Sequence, residues 1–429
     1  MRTVWILFYK MFVVPFLWTV FHIAAMFKHK ARRGIAGRRR LFEKLERETQ
    51  NLTAPLRIWF HSSSLGEFEQ AKPIITALKK KYREIDIIVT FFSPSGYEHS
   101  RSYKPASLIS YIPFDTARNA RLFIECIKPD IAVMVRYDVW PNHLWELRRR
   151  GIPALIVNAT ARKNSARFWF ALRNFHRYLY NDLTAILTVS ESDAEAFRSF
   201  DLSNPDIRAI GETRYDQVWQ RSVEARNKHF IPQSILRRRK VFVVGSSWEE
   251  DEDVVLPVFR AIAERDASAL LILVPHEPTI ETLERLELSL NGKLRSIRFS
   301  ALNDYSNENV ILVDSIGILM GLYQYADVAY VGGSFKQGVH NILEPAAYGI
   351  PVLYGPKHNN SQEAIELARR GGGFVVINRD ECYTLLRKLL TDQRARKAAG
   401  ASALNLVKEN IGATERCVEQ LSTLLGKQQ

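Results

Sequence analysis

Cysteine is scarce. Cys126, Cys382 and Cys417 are the only three in 429 residues, and they lie far apart. They make neither a disulfide framework nor a zinc cluster, which suits a reducing compartment. No P-loop is present, because no Lys-Ser/Thr follows the paired glycines Gly332-Gly333, and their spacing is not that of a dinucleotide fingerprint. The body also lacks an excess of one charge. The net charge is +14, but residues 28–47 hold nine Lys/Arg against two Glu and residues 1–27 add two more, leaving +5 for the rest. That distribution speaks against a nucleic-acid-binding body and for a basic collar beside a hydrophobic segment. With 46% apolar and 25% charged residues, the chain is neither disordered nor low in complexity, and its length calls for two domains.

Long apolar runs are absent except near the start. Val4–Phe27 is apolar apart from Lys10, His22 and a few weakly polar residues. It is just long enough for the roughly 20 residues that a membrane helix needs, although Lys10 and Pro15 disturb it. A cleaved signal peptide is the alternative reading. The segment has no small-residue cleavage site and runs straight into Lys28-His29-Lys30, which favours an uncleaved anchor, spanning or lying in the interface. The collar would face anionic headgroups and keep the following chain on the cytoplasmic side.

Beyond the collar, short apolar runs alternate with helical patterns. They fall at 58–63, 86–92, 107–112, 131–138, 154–160 and 185–190, then at 241–247, 269–275, 310–314, 328–334, 351–355 and 373–377. Alternation of this kind predicts parallel sheets covered by helices, hence two Rossmann-like domains, with the polar stretch 211–240 as the link. Open α/β sheets bind ligands beyond the carboxyl ends of their strands, which places a cleft between two such domains.

Three strand-end segments carry candidate chemistry. His61-Ser62-Ser63-Ser64-Leu65-Gly66-Glu67 follows the first strand. Glu67 there reads equally as a catalytic carboxylate or as an acid complementing a helix N-terminus. Val331-Gly332-Gly333-Ser334 followed by His340-Asn341-Ile342-Leu343-Glu344-Pro345 predicts N–H groups and a helix end offered to a phosphate, with Glu344 accepting from a ribose diol. Gly245–Asp253 contains Asp251-x-Asp253, formally a metal-binding pair. Ser247 can instead cap a helix whose first turn favours acids, and no metal is expected there.

These motifs together resemble the 3-deoxy-D-manno-octulosonic acid (Kdo) transferases of Gram-negative bacteria, along essentially the whole chain. Further matching stretches are Trp140-Pro141-Asn142, Gly211–Asp216, Asp314–Gly317 and Pro351–Pro356. The resemblance implies the GT-B fold in an α/β chain: an anchor and collar at 1–47, an acceptor domain at 48–215 and a nucleotide-sugar domain at 216–429. It implies an inverting glycosyltransferase of the inner membrane that moves Kdo from CMP-Kdo to a lipid A precursor and releases CMP, with no metal in the catalytic step. Inner-membrane phospholipid is an implied partner; nucleic acid is not. By the same resemblance Glu67 is the general base, while Arg136 and Arg214 stabilise the transition state. Donor contacts fall on Pro275, His276, Ile316, Gly317, Ile318, Asn341, Ile342, Leu343 and Glu344, beside the Gly332-Gly333 loop.

The chain also departs from the family pattern. Arg136-Tyr137-Asp138 stands where many members have Glu-Thr-Glu, His276 where Arg is usual, Thr160 where Asn-Ala is usually followed by Arg, and Arg214 where Lys is common. A proton-handling role at position 136 is thereby lost and an electrostatic one remains. Two alternatives stay open: a GT-B transferase using a UDP-sugar, and a non-catalytic nucleotide-sugar-binding homologue.

Overall fold

A computed structural model describes residues 2–161 and 170–426 and divides the chain into two units, residues 1–217 with 411–429, and residues 218–410. In the first unit seven strands form one sheet: β1 (Leu56–Ser62), β2 (Ile85–Phe91), β3 (Leu108–Tyr111), β4 (Ile131–Val135), β5 (Ala154–Ala159), β6 (Ala185–Thr188) and β7 (Asp206–Ala209). Their order is β3-β2-β1-β4-β5-β6-β7, and every pairing is parallel. The second unit repeats the plan with β8 (Lys240–Ser247), β9 (Ala269–Pro275), β10 (Ser296–Arg298), β11 (Val310–Leu312), β12 (Val328–Val331), β13 (Val352–Tyr354) and β14 (Gly373–Val375). The order there is β10-β11-β9-β8-β12-β13-β14, again parallel.

The central strands are apolar on both faces because helices cover both. All residues of β2, β4 and β9 are buried, as a parallel sheet requires. In the first sheet the strand order reverses between β1 and β4, and in the second between β8 and β12, with β10 and β11 exchanged at that sheet's edge. Loops leaving the strand ends at such a reversal diverge and open a ligand crevice.

The division between the units, after Gln217, falls within the stretch 211–240 expected as the link, and that stretch is helical at Thr213–Arg226. The C-terminal domain does not run to residue 429, which corrects the sequence-based division. The helix Ala413–Gly426 belongs to the first unit, where Cys417, Val418, Leu421 and Leu425 join the cluster of Ile74, Leu78 and Ile87. Asp216 accepts from the Gly412 and Thr414 N–H groups at 2.5 and 2.7 Å and so fixes the start of that helix. Deleting residues 411–429 strips four buried side chains from this core at a cost of about 1.5–3 kcal/mol for each fully buried one. Thermal unfolding should show the first unit melting well below its place in the full chain, with the second unit little changed.

The N-terminal segment is helical from Arg2 to Phe27, with a π-helical turn at Tyr9–Val13 just before Pro15. That wide turn accommodates a proline whose missing N–H and bulky ring would otherwise break the ladder. The helix is long and apolar enough to cross a membrane, yet one side of it is fastened to the first unit. Tyr9 Oη donates to Asp115 at 2.8 Å, Arg2 pairs with Asp182 at 2.7 Å, and Phe21 packs on Phe92 and Phe114. Its other side exposes Leu7, Met11, Phe12, Phe16, Ile23 and Met26.

The collar does not point outward as one block. Arg38 turns inward, donates to the carbonyls of Ile112, Gly34 and Phe92 at 2.9 Å each, and lies over the rings of Phe92, Tyr111 and Phe114. Burial pulls its pKa down to about 10. Arg32 caps the preceding helix through the carbonyls of Ala25 and Met26. Lys28, Lys30, Arg39, Arg40 and Arg47 remain on the surface.

Candidate active site

At the reversal in the first unit, β1 ends in His61-Ser62 and β4 leads into Arg136–Trp140. Ser64 begins the helix Leu65–Lys81 as its N-cap in a capping box with Glu67. Glu67 Oε2 accepts from the N–H groups of Ser63 at 2.6 Å and Ser64 at 3.2 Å, whereas Oε1 takes no hydrogen bond from the described residues. The two readings of Glu67 are thus compatible. Capping holds one oxygen, and the other is left to act. Burial raises the Glu67 pKa, helped by the charge of Asp138, against the opposing pull of the two N–H bonds and His61.

Asp138, which motif reading treated only as part of a departure, is the hub of this site. Its Oδ2 lies 2.7 Å from His61 Nε2 and 3.3 Å from Trp140 Nε1, and it accepts from Ser63 Oγ. Trp59 Nε1 donates to Thr90 Oγ1 at 2.8 Å, and Thr90 Oγ1 lies 2.9 Å from His61 Nδ1. The network closes when Thr90 donates to Nδ1 and Nε2–H donates to Asp138. His61 is therefore an orienting residue. Burial opposes ionisation of Asp138, but the bonds from His61, Ser63 and Trp140 outweigh it and its pKa falls. Neighbouring carboxyls whose pKa values are driven apart mark an acid–base site. The signal legible in the sequence was Asp138 two residues before Trp140-Pro141-Asn142.

Arg136 follows β4 with φ +66°, and its Nε is buried with no hydrogen-bond partner among the described residues. Arg214 opens the helix Thr213–Arg226 and pairs with buried Glu212. Asn158, also left-handed at φ +51°, brackets Thr213 with bonds of 2.9 and 3.0 Å, and Thr213 Oγ1 donates to the Gln70 carbonyl at 2.6 Å. This ties the start of Arg214's helix to the helix that carries Glu67.

In the second unit, the loops after β11, β9, β8 and β12 emerge side by side in that order. Pro275 closes β9. His276 follows, its ring stacked on those of Trp248 and His340 with centroids 4.5 and 4.6 Å away. Trp248 Nε1 donates to His340 Nε2 at 3.1 Å, and Lys336 Nζ lies 3.9 Å from a Trp248 ring centroid. Burial lowers the His340 pKa, with His276 adding to the effect and Asp251 opposing it. Trp248 lies inside the strand-end segment 245–253 but was given no role there, and Lys336 carries no motif.

The glycine loop does not work as expected. Gly332 N–H donates to the Gly245 carbonyl at 2.9 Å and Gly333 N–H to Asp251 at 2.8 Å, so neither N–H is left for a phosphate. The glycines serve close approach instead: a Cβ on Gly332 would sit 2.3 Å from the Ser246 carbonyl oxygen, and Gly333 has φ +93°. The helix that follows is a single turn, Leu343–Ala346, too short for an appreciable end charge. Asp251 accepts from Gly333 N–H, Trp248 N–H and Tyr330 Oη at 2.8–3.0 Å and thereby holds the ends of β8 and β12 together. Ser247, expected to cap its helix, instead donates to Glu252 at 2.8 Å, and Trp248 is the N-cap. Among the described residues no group of three His, Cys, Asp or Glu is gathered as a metal site.

Asn341 donates to Glu344 at 3.1 Å and accepts from Leu343 N–H at 3.2 Å, so this polar pair is set beside buried Ile342 and Leu343. Burial pushes the Glu344 pKa up to about 7, against Asn341 and Arg221. Ile316 and Gly317 form an exposed apolar loop after β11, with Ile316 87% exposed and Gly317 at φ +84°. Ile318 accepts from Gly321 and Leu322 at the start of the next helical turn.

Two doubly wound parallel sheets in succession, each with polar side chains at its reversal, define the GT-B fold. Solved structures agree on the fold. A putative UDP-N-acetylglucosamine 2-epimerase from Listeria monocytogenes matches 87% of this chain and 98% of its own at TM-score 0.59 and 13% identity. A glycosyltransferase from Rickettsia africae matches 86% and 98% at TM-score 0.54 and 12% identity. The family described as 3-deoxy-D-manno-octulosonic-acid transferase (kdotransferase) matches residues 33–217. The 3-deoxy-D-manno-octulosonic acid transferase of Aquifex aeolicus is 30% identical over 78% of this chain and 86% of its own length, and that of Haemophilus influenzae is 27% identical over 86% and 88%. The chain belongs to the 3-deoxy-D-manno-octulosonic acid transferase family.

Proposed function

We propose that the chain transfers Kdo from CMP-Kdo to a hydroxyl of a lipid A precursor, a phosphorylated and acylated glucosamine disaccharide, with inversion and release of CMP. The observation that carries this is the Glu67 carboxylate, held by one oxygen with the other left open. A sugar hydroxyl is a weak nucleophile and needs a base within hydrogen-bond reach. Glu67 Oε1 takes its proton as the hydroxyl oxygen bonds to the anomeric carbon of Kdo. The bond from that carbon to the phosphate oxygen breaks, and CMP leaves with the electron pair. No metal enters this scheme, so the growing phosphate charge falls to cationic side chains, Arg214 and Lys336 among them, and to His276 when protonated. Arg136 contributes electrostatically. Asn341 and Glu344 face the ribose diol, and the Ile316–Ile318 loop and Pro275 the base.

The lipidic acceptor gives the N-terminal helix its purpose. Fastened along one side and apolar along the other, it suits a helix lying in the interface of the inner membrane, with the two units on the cytoplasmic side and the exposed collar cations near phospholipid headgroups.

The test is product formation by the full-length protein in detergent, with CMP-Kdo or a UDP-sugar as donor and a tetraacylated lipid A precursor as acceptor. Kdo transfer with CMP-Kdo alone, and a thermal midpoint raised by cytidine but not uridine nucleotides, is the expected result. Transfer from a UDP-sugar, or no product at high enzyme concentration, would overturn it.

A further inference from the structure

Between the N-terminal helix and the first unit lies a cavity of about 320 Å³. Leu17, Trp18 and Phe21 of the helix wall one side; Phe92, Phe114 and Trp140 wall the other. Asp115 also borders it, but that carboxylate is already engaged by Tyr9 Oη, by the N–H groups of Asn142 and His143, and by His143 Nδ1 at 2.7–3.1 Å. Thr116 lines it too, with its Oγ1 accepting from Asn119 N–H at 3.1 Å as the cap of the next helix. The rest of the wall is apolar, and apolar cavities of this kind stay dry or take an apolar guest. Its volume is at the lower end of the roughly 300–1,000 Å³ range of ligand pockets.

Trp140 connects this cavity to the chemistry. Its ring is part of the wall and stacks on Phe92 at 5.0 Å, while its Nε1 points to Asp138 and His61. Asp138 accepts from Ser63 Oγ, and Ser63 N–H donates to Glu67. The apolar space and the candidate base are thus two sides of one loop pair. The outer face of the helix, with Phe12, Phe16 and Ile23 exposed, is suited to hydrocarbon, so a chain can enter from a lipid phase without crossing water.

We infer that this cavity is a subsite for one fatty acyl chain of the acceptor. The chain lies between the helix and Phe92/Phe114 and sets the sugar headgroup against the Ser63–Glu67 loop. The inference rests on the lipid-acceptor reading above and deepens it: the N-terminal helix becomes a wall of the substrate site as well as an anchor. Each methylene held in the cavity then strengthens acceptor binding roughly fourfold.

The experiment uses full-length protein and acceptors differing only in acyl length. Ala24, which also lines the cavity, is changed to Phe to fill it; Ile23→Phe on the exposed face is the control. The expected result is a KM for the long-chain acceptor raised at least tenfold in Ala24→Phe, with KM no longer falling as the chain lengthens and kcat retained. Ile23→Phe should behave as wild type. Equal chain-length dependence in all three proteins would overturn the inference. A binding readout separates this from the transfer reaction and from misfolding. An acceptor with a diazirine at the end of one acyl chain should crosslink wild type within residues 14–24 or at Phe92 or Phe114, competed by unlabelled acceptor. If no acceptor is turned over but this crosslink forms, the reaction assignment fails and the subsite stands. If only a diazirine phospholipid crosslinks there, uncompeted by acceptor, the cavity holds a structural lipid and the inference fails.

Discussion

Glu67→Gln should lower kcat by roughly 10²–10⁴-fold, the contribution of a positioned general base, while the cytidine-nucleotide shift in thermal midpoint stays intact. The amide keeps an oxygen to accept from Ser63 and Ser64, so the cap at Leu65 survives and the loss falls on proton transfer. Wild-type activity must also rise with pH across a window above the ordinary glutamate range, because burial and the Asp138 charge raise the Glu67 pKa and the base acts only when ionised. The stability linkage has a definite sign. A carboxyl whose folded pKa is raised contributes stability that is complete below its unfolded pKa and is lost as pH climbs through the folded value. Wild type should therefore lose stability relative to Glu67→Gln from about pH 4.5 upward. Full activity in the glutamine variant, or an acid limb at or below the usual carboxylate range, would remove Glu67 from the role.

Asp138 bears on the same profile. Its own pKa is lowered by His61, Ser63 and Trp140, so it is charged throughout the range in which Glu67 titrates. Its charge is one of the two influences that raise the base. Asp138→Asn should move the acid limb downward, a readout that loss of packing alone would not produce.

Most of the strands that were legible in the sequence are buried on both faces, so their apolar runs are nearly unbroken; the edge strands β3 and β14 are less buried but still mostly apolar. The two that were not, Asp206–Ala209 and Ser296–Arg298, are edge strands with alternating polar residues and incomplete burial. Strand-end motifs located both candidate sites because small residues and glycines at strand ends are visible in any sequence. What they do there was not visible. Gly332-Gly333 resembles a phosphate cradle by composition, yet its N–H groups are consumed by Gly245 and Asp251. Asp138 and Trp248 acquire their roles largely from partners 75–92 residues away. The return of Ala413–Gly426 to the first unit was equally hidden, because an amphipathic helix carries no mark of which core it completes.

Asp251→Ala should be the most damaging single change in the second unit. The carboxylate is fully buried and accepts from Gly333 N–H, Trp248 N–H and Tyr330 Oη. Its removal strands two backbone donors and a buried hydroxyl, each costing about 1–3 kcal/mol, and leaves a cavity where β8 and β12 diverge. A loss of at least about 3 kcal/mol lowers the transition of a unit this size by roughly 6–12 °C. The functional loss should exceed the stability loss. Trp248 shares the stack with His276 and His340, and Gly333 fixes the turn that leads to His340 and Asn341, so freeing both loops disorders the proposed donor contacts together. Asp251→Asn separates the two effects. The amide can still accept through its oxygen but must turn its NH₂ toward one former donor, which should cost less stability while still weakening nucleotide protection. Calorimetry with and without CMP on the two variants checks the ordering. An Ala variant that melts with wild type and keeps its CMP shift would show that the glycine loop holds its shape without Asp251.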